Sequence, residues 1–180
     1  MNTSGSNALT FLITTLADLY VTAVLLRLLL QWVRADFYNP VCQFLIRITN
    51  PLLVPLRRVI PALGRLDTAS VVLMLGLEFL VTWIVVQLGP VGFTAPQILV
   101  YSVMKLLGTL LWTWFFLVIA MVILSWVGRG MRHPVIPLVY QLTEPLLRPV
   151  RRVIPPIAGI DLSPLFVLIA LRFLLVLLGW

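Results

Sequence analysis

The sequence predicts an all-α membrane protein: four transmembrane helices in two parallel tandem repeats, each with a cytoplasmic amphipathic helix and a Pro/Arg elbow. Three observations predict it. The 180 residues are 61% hydrophobic and 11% charged, with a mean hydropathy of +1.09, outside the range of a water-soluble domain. Four long apolar runs absorb most of the chain and leave no length for a separate soluble core. The stretch PLLVPLRRVIP at 51–61 returns as PLLRPVRRVIP at 145–155. Residues 1–180 therefore read as a single membrane domain, with repeat 1 at 8–88 and repeat 2 at 98–180.

Each run suffices to cross roughly 30 Å of hydrocarbon at about 1.5 Å per helical residue. Span one extends from Ala8 to Val33, span two from Thr68 to Leu88, span three from Ile98 to Val127 and span four from Leu162 to Trp180. Spans one and three exceed the minimum, so tilt is expected. Span one is not expected to be a cleaved signal, because Met1 to Thr10 carry no Lys or Arg and Asp18 interrupts the apolar run. The lone cysteine, Cys42, allows no internal disulfide and supplies no metal cluster.

Orientation follows from arginine. The segment between spans one and two holds Arg34, Arg47, Arg57, Arg58 and Arg65; that between spans three and four holds Arg129, Arg132, Arg148, Arg151 and Arg152. The Met1 to Thr10 tail and the connection GPVGFTAP at 89–96 have no charged side chain. The positive-inside rule places both arginine segments in the cytoplasm and both termini outside. At a constant offset of 94 residues (51 to 145), Trp32-Val33 lies over Trp126-Val127, Pro40-Val41 over Pro134-Val135, Thr49 over Thr143, Asp67 over Asp161 and Phe79-Leu80 over Phe173-Leu174. Each unit crosses twice and returns to its starting side. Both copies thus share one orientation, related by a pseudo-twofold along the membrane normal.

Ahead of each elbow, Val41, Phe44, Leu45 and Ile48 recur at helical spacing, as do Val135, Leu138, Val139 and Leu142. Each set predicts a short amphipathic helix opened by Pro40 or Pro134, lying in the cytoplasmic headgroup layer or packed under its neighbours. Pro51 can begin a further short helix, Pro55 lacks the donor needed one turn later and Pro61 stops the segment, as Pro145, Pro149 and Pro155 do in the second copy. A long helix is not expected there. Leu52, Leu53, Val59 and Ile60 would dip into the acyl region, while Asp67 and Asp161 cap the following spans.

Two readings of Arg57, Arg58, Arg148, Arg151 and Arg152 stand. They hold the loops inside and meet whatever anionic headgroup is near, or they bind a specific anionic lipid or acidic protein partner between the elbows. Direct nucleic-acid binding is not expected, since aromatic residues do not interleave the basic ones. Five ionisable residues fall within the spans: Asp18, Arg27, Glu78, Lys105 and Arg172. Lys105 and Arg27 read as interfacial anchors that snorkel. Glu78 and Arg172 occupy the same repeat position with opposite charge. That equivalence predicts a buried ion pair fixing spans two and four, or a charged lining of a proton or ion path with Asp18 as the next station.

The pair NPLLVPLRRVIP with Leu66-Asp67 and EPLLRPVRRVIP with IDLSP at 160–164 resembles the YGGT family of small membrane proteins, which includes bacterial YlmG proteins and plastid relatives, in its two-repeat bacterial form. The second copy has Leu162-Ser163-Pro164 where the first has Thr68-Ala69-Ser70. The resemblance implies a multi-pass protein of the bacterial inner membrane with periplasmic termini. It also implies roles such as cytochrome-complex maturation, nucleoid distribution or osmotic tolerance, without a common reaction. No G-x-S-x-G, phosphate-cradling glycine loop or metal-ligand spacing occurs, and the single histidine, His133, stands where Asn39 stands in the other copy and reads as a helix-entry residue. A non-enzymatic scaffold or assembly factor without cofactor is the expectation, with a homo-oligomer or membrane-protein partner open. The alternative is a channel, transporter or accessory subunit in ion balance.

Overall fold

The computed structural model describes residues 3–64, 66–88, 92–127, 133–154 and 161–180. Arg65, Arg129, Arg132 and Pro155 lie outside the described residues. Among the described residues six helices follow in order: α1 Thr3–Trp32, α2 Pro40–Val59, α3 Thr68–Leu88, α4 Ala95–Val127, α5 Val135–Val153 and α6 Ser163–Leu177. Among the described residues the sole strand-like feature is a bridge between Leu63 and Leu66. Gly64, at φ +62°, makes that tight turn possible.

Among the described residues three helices, α1, α3 and α4, are long and apolar enough to cross a membrane. The 21 residues of α3 give about 32 Å and the 33 of α4 about 50 Å. Much of their surface is apolar and exposed, including Phe11, Leu16, Leu19, Val100 and Phe116, as expected where lipid is the solvent. The fourth apolar run forms α6, whose 15 residues extend about 22 Å, short of a full crossing.

Helix ends follow local chemistry. Helix α1 closes in a Schellman arrangement, with Arg34 N–H donating to Gln31 O and Ala35 N–H to Leu30 O. Arg34 takes the left-handed conformation, φ 55°, that this ending requires. Asn39 caps α2 by accepting the Val41 N–H at 2.9 Å, with Pro40 at the first helical position. Its repeat counterpart His133 accepts the Val135 N–H through Nδ1 at a longer 3.4 Å. Helix α4 opens with Thr94 and Gln97, whose Oε1 accepts the Thr94 N–H at 2.8 Å in a capping box.

The elbows differ from expectation. Pro51 and Pro55 lie inside the continuous helix α2, and Pro145 and Pro149 inside α5, so the amphipathic segment and the elbow are one helix in each copy. The four-residue spacing explains why. Each pair of prolines lies on one face, all four are exposed, and the carbonyls they leave unbonded point the same way, where solvent or headgroups can satisfy them. Pro61 lies beyond the end of α2. The buried line of α2 is Cys42, Leu45, Thr49 and Leu53, so Leu53 packs inward and does not dip into lipid, while Phe44 is 61% exposed. Helix α5 buries Leu138, Val139, Leu142, Thr143 and Leu147.

The chain forms two compact units, residues 1–28 with 44–107, and residues 29–43 with 108–180. In the first, Val21, Val24 and Leu25 of α1, Leu45 and Leu53 of α2, and Leu73, Met74 and Val81 of α3 are buried. In the second, Val118 and Met121 of α4 pack with Val139 and Leu147 of α5 and Val167 and Leu171 of α6.

Candidate functional site

Each copy of the repeat builds an arginine–aspartate clasp between the end of its proline helix and an aspartate ten residues on. In the first unit Arg57 Nη2 donates to Asp67 Oδ2 at 2.5 Å, and the Ser70 hydroxyl donates to the same oxygen at 2.5 Å. In the second unit Arg151 Nε donates to Asp161 Oδ2 at 2.8 Å, and the Ser163 N–H donates to Asp161 Oδ1 at 2.9 Å. Pro164 occupies the position of Ser70 and has neither hydroxyl nor N–H to offer, and the donor in the second copy is the N–H of Ser163. Arg151 also reaches Glu144 at 2.8 Å.

The carboxylates answer to these contacts. Burial pushes the Asp67 carboxyl up, but hydrogen bonds from Arg57 and Ser70 outweigh it and leave it below the usual carboxylate range. At Asp161 burial likewise acts upward and is outweighed by the bonds from Ser163 and Arg151. The two sites are not equally sheltered: the Asp67 side chain is 4% exposed and that of Asp161 31%.

The clasp divides each arginine pair. Arg57 and Arg151 are bound to their own chain, whereas Arg58, Arg148 and Arg152 are exposed and have no ion-pair partner among the described residues. The residue after each second arginine is an exposed apolar one, Val59 at 82% and Val153 at 80%.

Within the apolar helices of the first unit, Lys105 Nζ lies 2.6 Å from Asp18 Oδ1 and 2.9 Å from Glu78 Oε2. Lys105 is thus an ion-pair centre with a side chain 14% exposed, not a snorkelling anchor. Glu78 is 1% exposed. Its Oε2 is close enough to Lys105 for an ion pair without being aligned as a hydrogen bond, and Oε1 has no partner among the described residues. Arg27 is 6% exposed and donates through Nη1 to Thr49 Oγ1, so it too is packed inside and is no interfacial anchor.

The expected Glu78–Arg172 pair is replaced by separate partners. Arg172 Nη1 donates to the Trp180 carbonyl at 3.0 Å, and its guanidinium lies 5.9 Å from the centre of the Trp112 ring. The physical reason lies in the repeat itself. Duplication preserves the surroundings of a position and does not make its two copies neighbours. Trp112 stands where Asp18 stands in the first copy, so positions 18 and 78 meet through Lys105, and positions 112 and 172 meet directly. Thr49, Ser70, Trp112 and Trp180 were not readable as partners from charge alone; for Trp112 the offset of 94 from Asp18 was the available signal. No group of His, Cys, Asp and Glu is placed to hold a metal among the described residues.

Comparison with known proteins matches this repeat. The CCB3/YggT family's sequence profile matches twice, over residues 6–88 and 100–180. A Vibrio alginolyticus protein described as an uncharacterized protein in the proC 3′ region is 43% identical over 178 residues, covering 96% of this chain and 94% of its own. The uncharacterized protein YggT of Escherichia coli K12 is 41% identical over 168 residues, covering 92% of this chain and 86% of its own. No solved structure matches the chain. With the profile matched over both copies of the proline–arginine helix and its clasp, the chain belongs to the CCB3/YggT family.

Proposed function

We propose that this is a non-enzymatic protein of the bacterial inner membrane that acts as a scaffold or assembly factor, engaging anionic lipid or an acidic protein partner through the basic ends of α2 and α5. In this reading α1, α3, α4 and the whole fourth apolar run, Leu162 to Trp180 with α6 within it, are four crossings, both termini are periplasmic, and α2 and α5 lie at the cytoplasmic surface with their buried faces inward. One observation carries the lipid contact: in both copies an exposed arginine, Arg58 or Arg152, is followed by a valine at least 80% exposed. A cation beside an unburied apolar side chain suits the boundary between headgroup and acyl chain. Arg148 adds a third exposed cation in the second copy.

The test is retention of acidic lipid by purified protein. The Arg58→Gln/Arg148→Gln/Arg152→Gln variant is expected to lose bound acidic phospholipid in a salt-sensitive manner while remaining folded, because none of the three belongs to a clasp. Unchanged retention would leave these arginines a topogenic role alone. A second reading, a part in ion balance, is favoured by the Asp18–Lys105–Glu78 cluster in the apolar helices. Ion flux into liposomes carrying the purified protein separates the two.

A further inference from the structure

The first unit brings two carboxylates and one ammonium together among helices α1, α3 and α4, the three long enough to cross a membrane. One ammonium balances one carboxylate. With all three groups ionised the cluster would hold one uncompensated negative charge, and two observations locate it. Asp18 lies closer to Lys105 Nζ, 2.6 Å against 2.9 Å, and its side chain is 45% exposed against 1% for Glu78. Glu78 Oε1 is buried with no hydrogen-bond partner among the described residues. Among the described residues the charged groups facing Glu78 are Lys105 from α4 and Asp18 from α1. Helix α3 has no other charged residue, and α2 brings none of its arginines into ion-pair contact with Glu78 among the described residues.

Lys105 therefore serves Asp18 first, and an ionised Glu78 would keep an unsolvated oxygen near the middle of α3. A neutral carboxyl in that place costs far less than a charged one, even with its hydroxyl unpaired. We propose that the Asp18–Lys105–Glu78 cluster is a proton-binding site, with one proton carried on Glu78 at neutral pH. The proton comes from bulk water and converts the carboxylate to the acid; no other bond changes. The inference rests on the first unit alone and stands whether or not the basic helix ends bind lipid.

The chain has two glutamates, Glu78 and Glu144, which makes the site directly readable. In bilayer nanodiscs, protein labelled with carbon-13 at the glutamate carboxyl and carrying Glu144→Gln has a single labelled carboxyl. That carbon is expected at the position of a protonated acid at neutral pH. In the added variant Asp18→Asn, Lys105 keeps Glu78 and loses the competing carboxylate, and the signal is expected to move to the ionised position. An ionised signal in the parent protein overturns the proposal, as does a signal indifferent to Asp18→Asn. A signal that becomes acidic only after sodium and potassium are withdrawn overturns it in favour of a metal-cation site. Glu78→Gln provides a second arm, because glutamine imitates the neutral acid. Its melting temperature should match that of the parent, and a protein that no longer folds would show that the charged form is the one the structure requires.

Discussion

Asp67 and Asp161 occupy one position of a duplicated sequence, yet removing them should cost different amounts. Asp67→Ala deletes an acceptor whose side chain is 4% exposed and that holds Arg57 and Ser70. A hydrogen bond to a charged group contributes about 1.5–3 kcal/mol and a helix cap about 1 kcal/mol, so a loss of about 3 kcal/mol is expected. Asp161 is 31% exposed and Arg151 33%, where solvent screens the pair, and Arg151 retains Glu144. Its replacement should cost about 1 kcal/mol. For a chain of this size each kcal/mol corresponds to about 2–4 °C. Thermal unfolding in detergent should then show a fall of about 6–12 °C for Asp67→Ala and about 2–4 °C for Asp161→Ala. The pH dependence has a fixed sign. Asp67 lies below its ordinary value of 3.8 when folded, so its contribution is present above that value and is lost as pH falls through the lower folded one. Asp67→Asn should flatten the acid limb of the stability curve. Equal losses at the two positions, or a larger one at Asp161, would refute the argument from burial.

Three other outcomes can be checked. With Cys42 replaced by Ala, a cysteine at Phe93 should react with an impermeant reagent from the periplasm, whereas one at Tyr38, 89% exposed, should be protected until the membrane is opened. Arg27→Met installs the residue that stands at Met121 in the second copy; Thr49 keeps its bond to Leu45 O, so denaturant stability should change by less than about 1 kcal/mol, and a loss of about 3 kcal/mol or more would give Arg27 a role the contacts do not explain. Since Glu78 and Arg172 have separate partners, Glu78→Gln with Arg172→Gln should cost the sum of the single changes within about 0.5 kcal/mol. Strong coupling between them would restore the pair that the repeat suggests.

Apolar run length was enough to locate α1, α3 and α4, because a 20-residue stretch with few charges has little alternative to a helix. The double arginines and Asp67 and Asp161 were visible as motifs, but not that the first arginine of each pair clasps the aspartate. That is a contact between residues ten apart in the chain, which no local pattern states. A single proline argues against a helix, but Pro51 with Pro55, and Pro145 with Pro149, share an exposed face where their missing bonds are tolerated. Lys105 was legible as a charge and illegible as a centre, since Asp18 and Glu78 lie 87 and 27 residues away from it in the chain.

Lys105 belongs by sequence to the second copy, yet the carboxyl groups it meets, Asp18 and Glu78, belong to the first. The seam of the duplication and the seam of the fold therefore fall in different places. A chain severed in the 89–96 connection would yield an amino-terminal fragment with Asp18 and Glu78 and no counter-ion for either, while the carboxy-terminal fragment kept an ammonium without a carboxylate. Neither half is electrically complete. Co-expressed halves would have a reason to find each other in the bilayer, and a lone first half would need to borrow a cation from another chain.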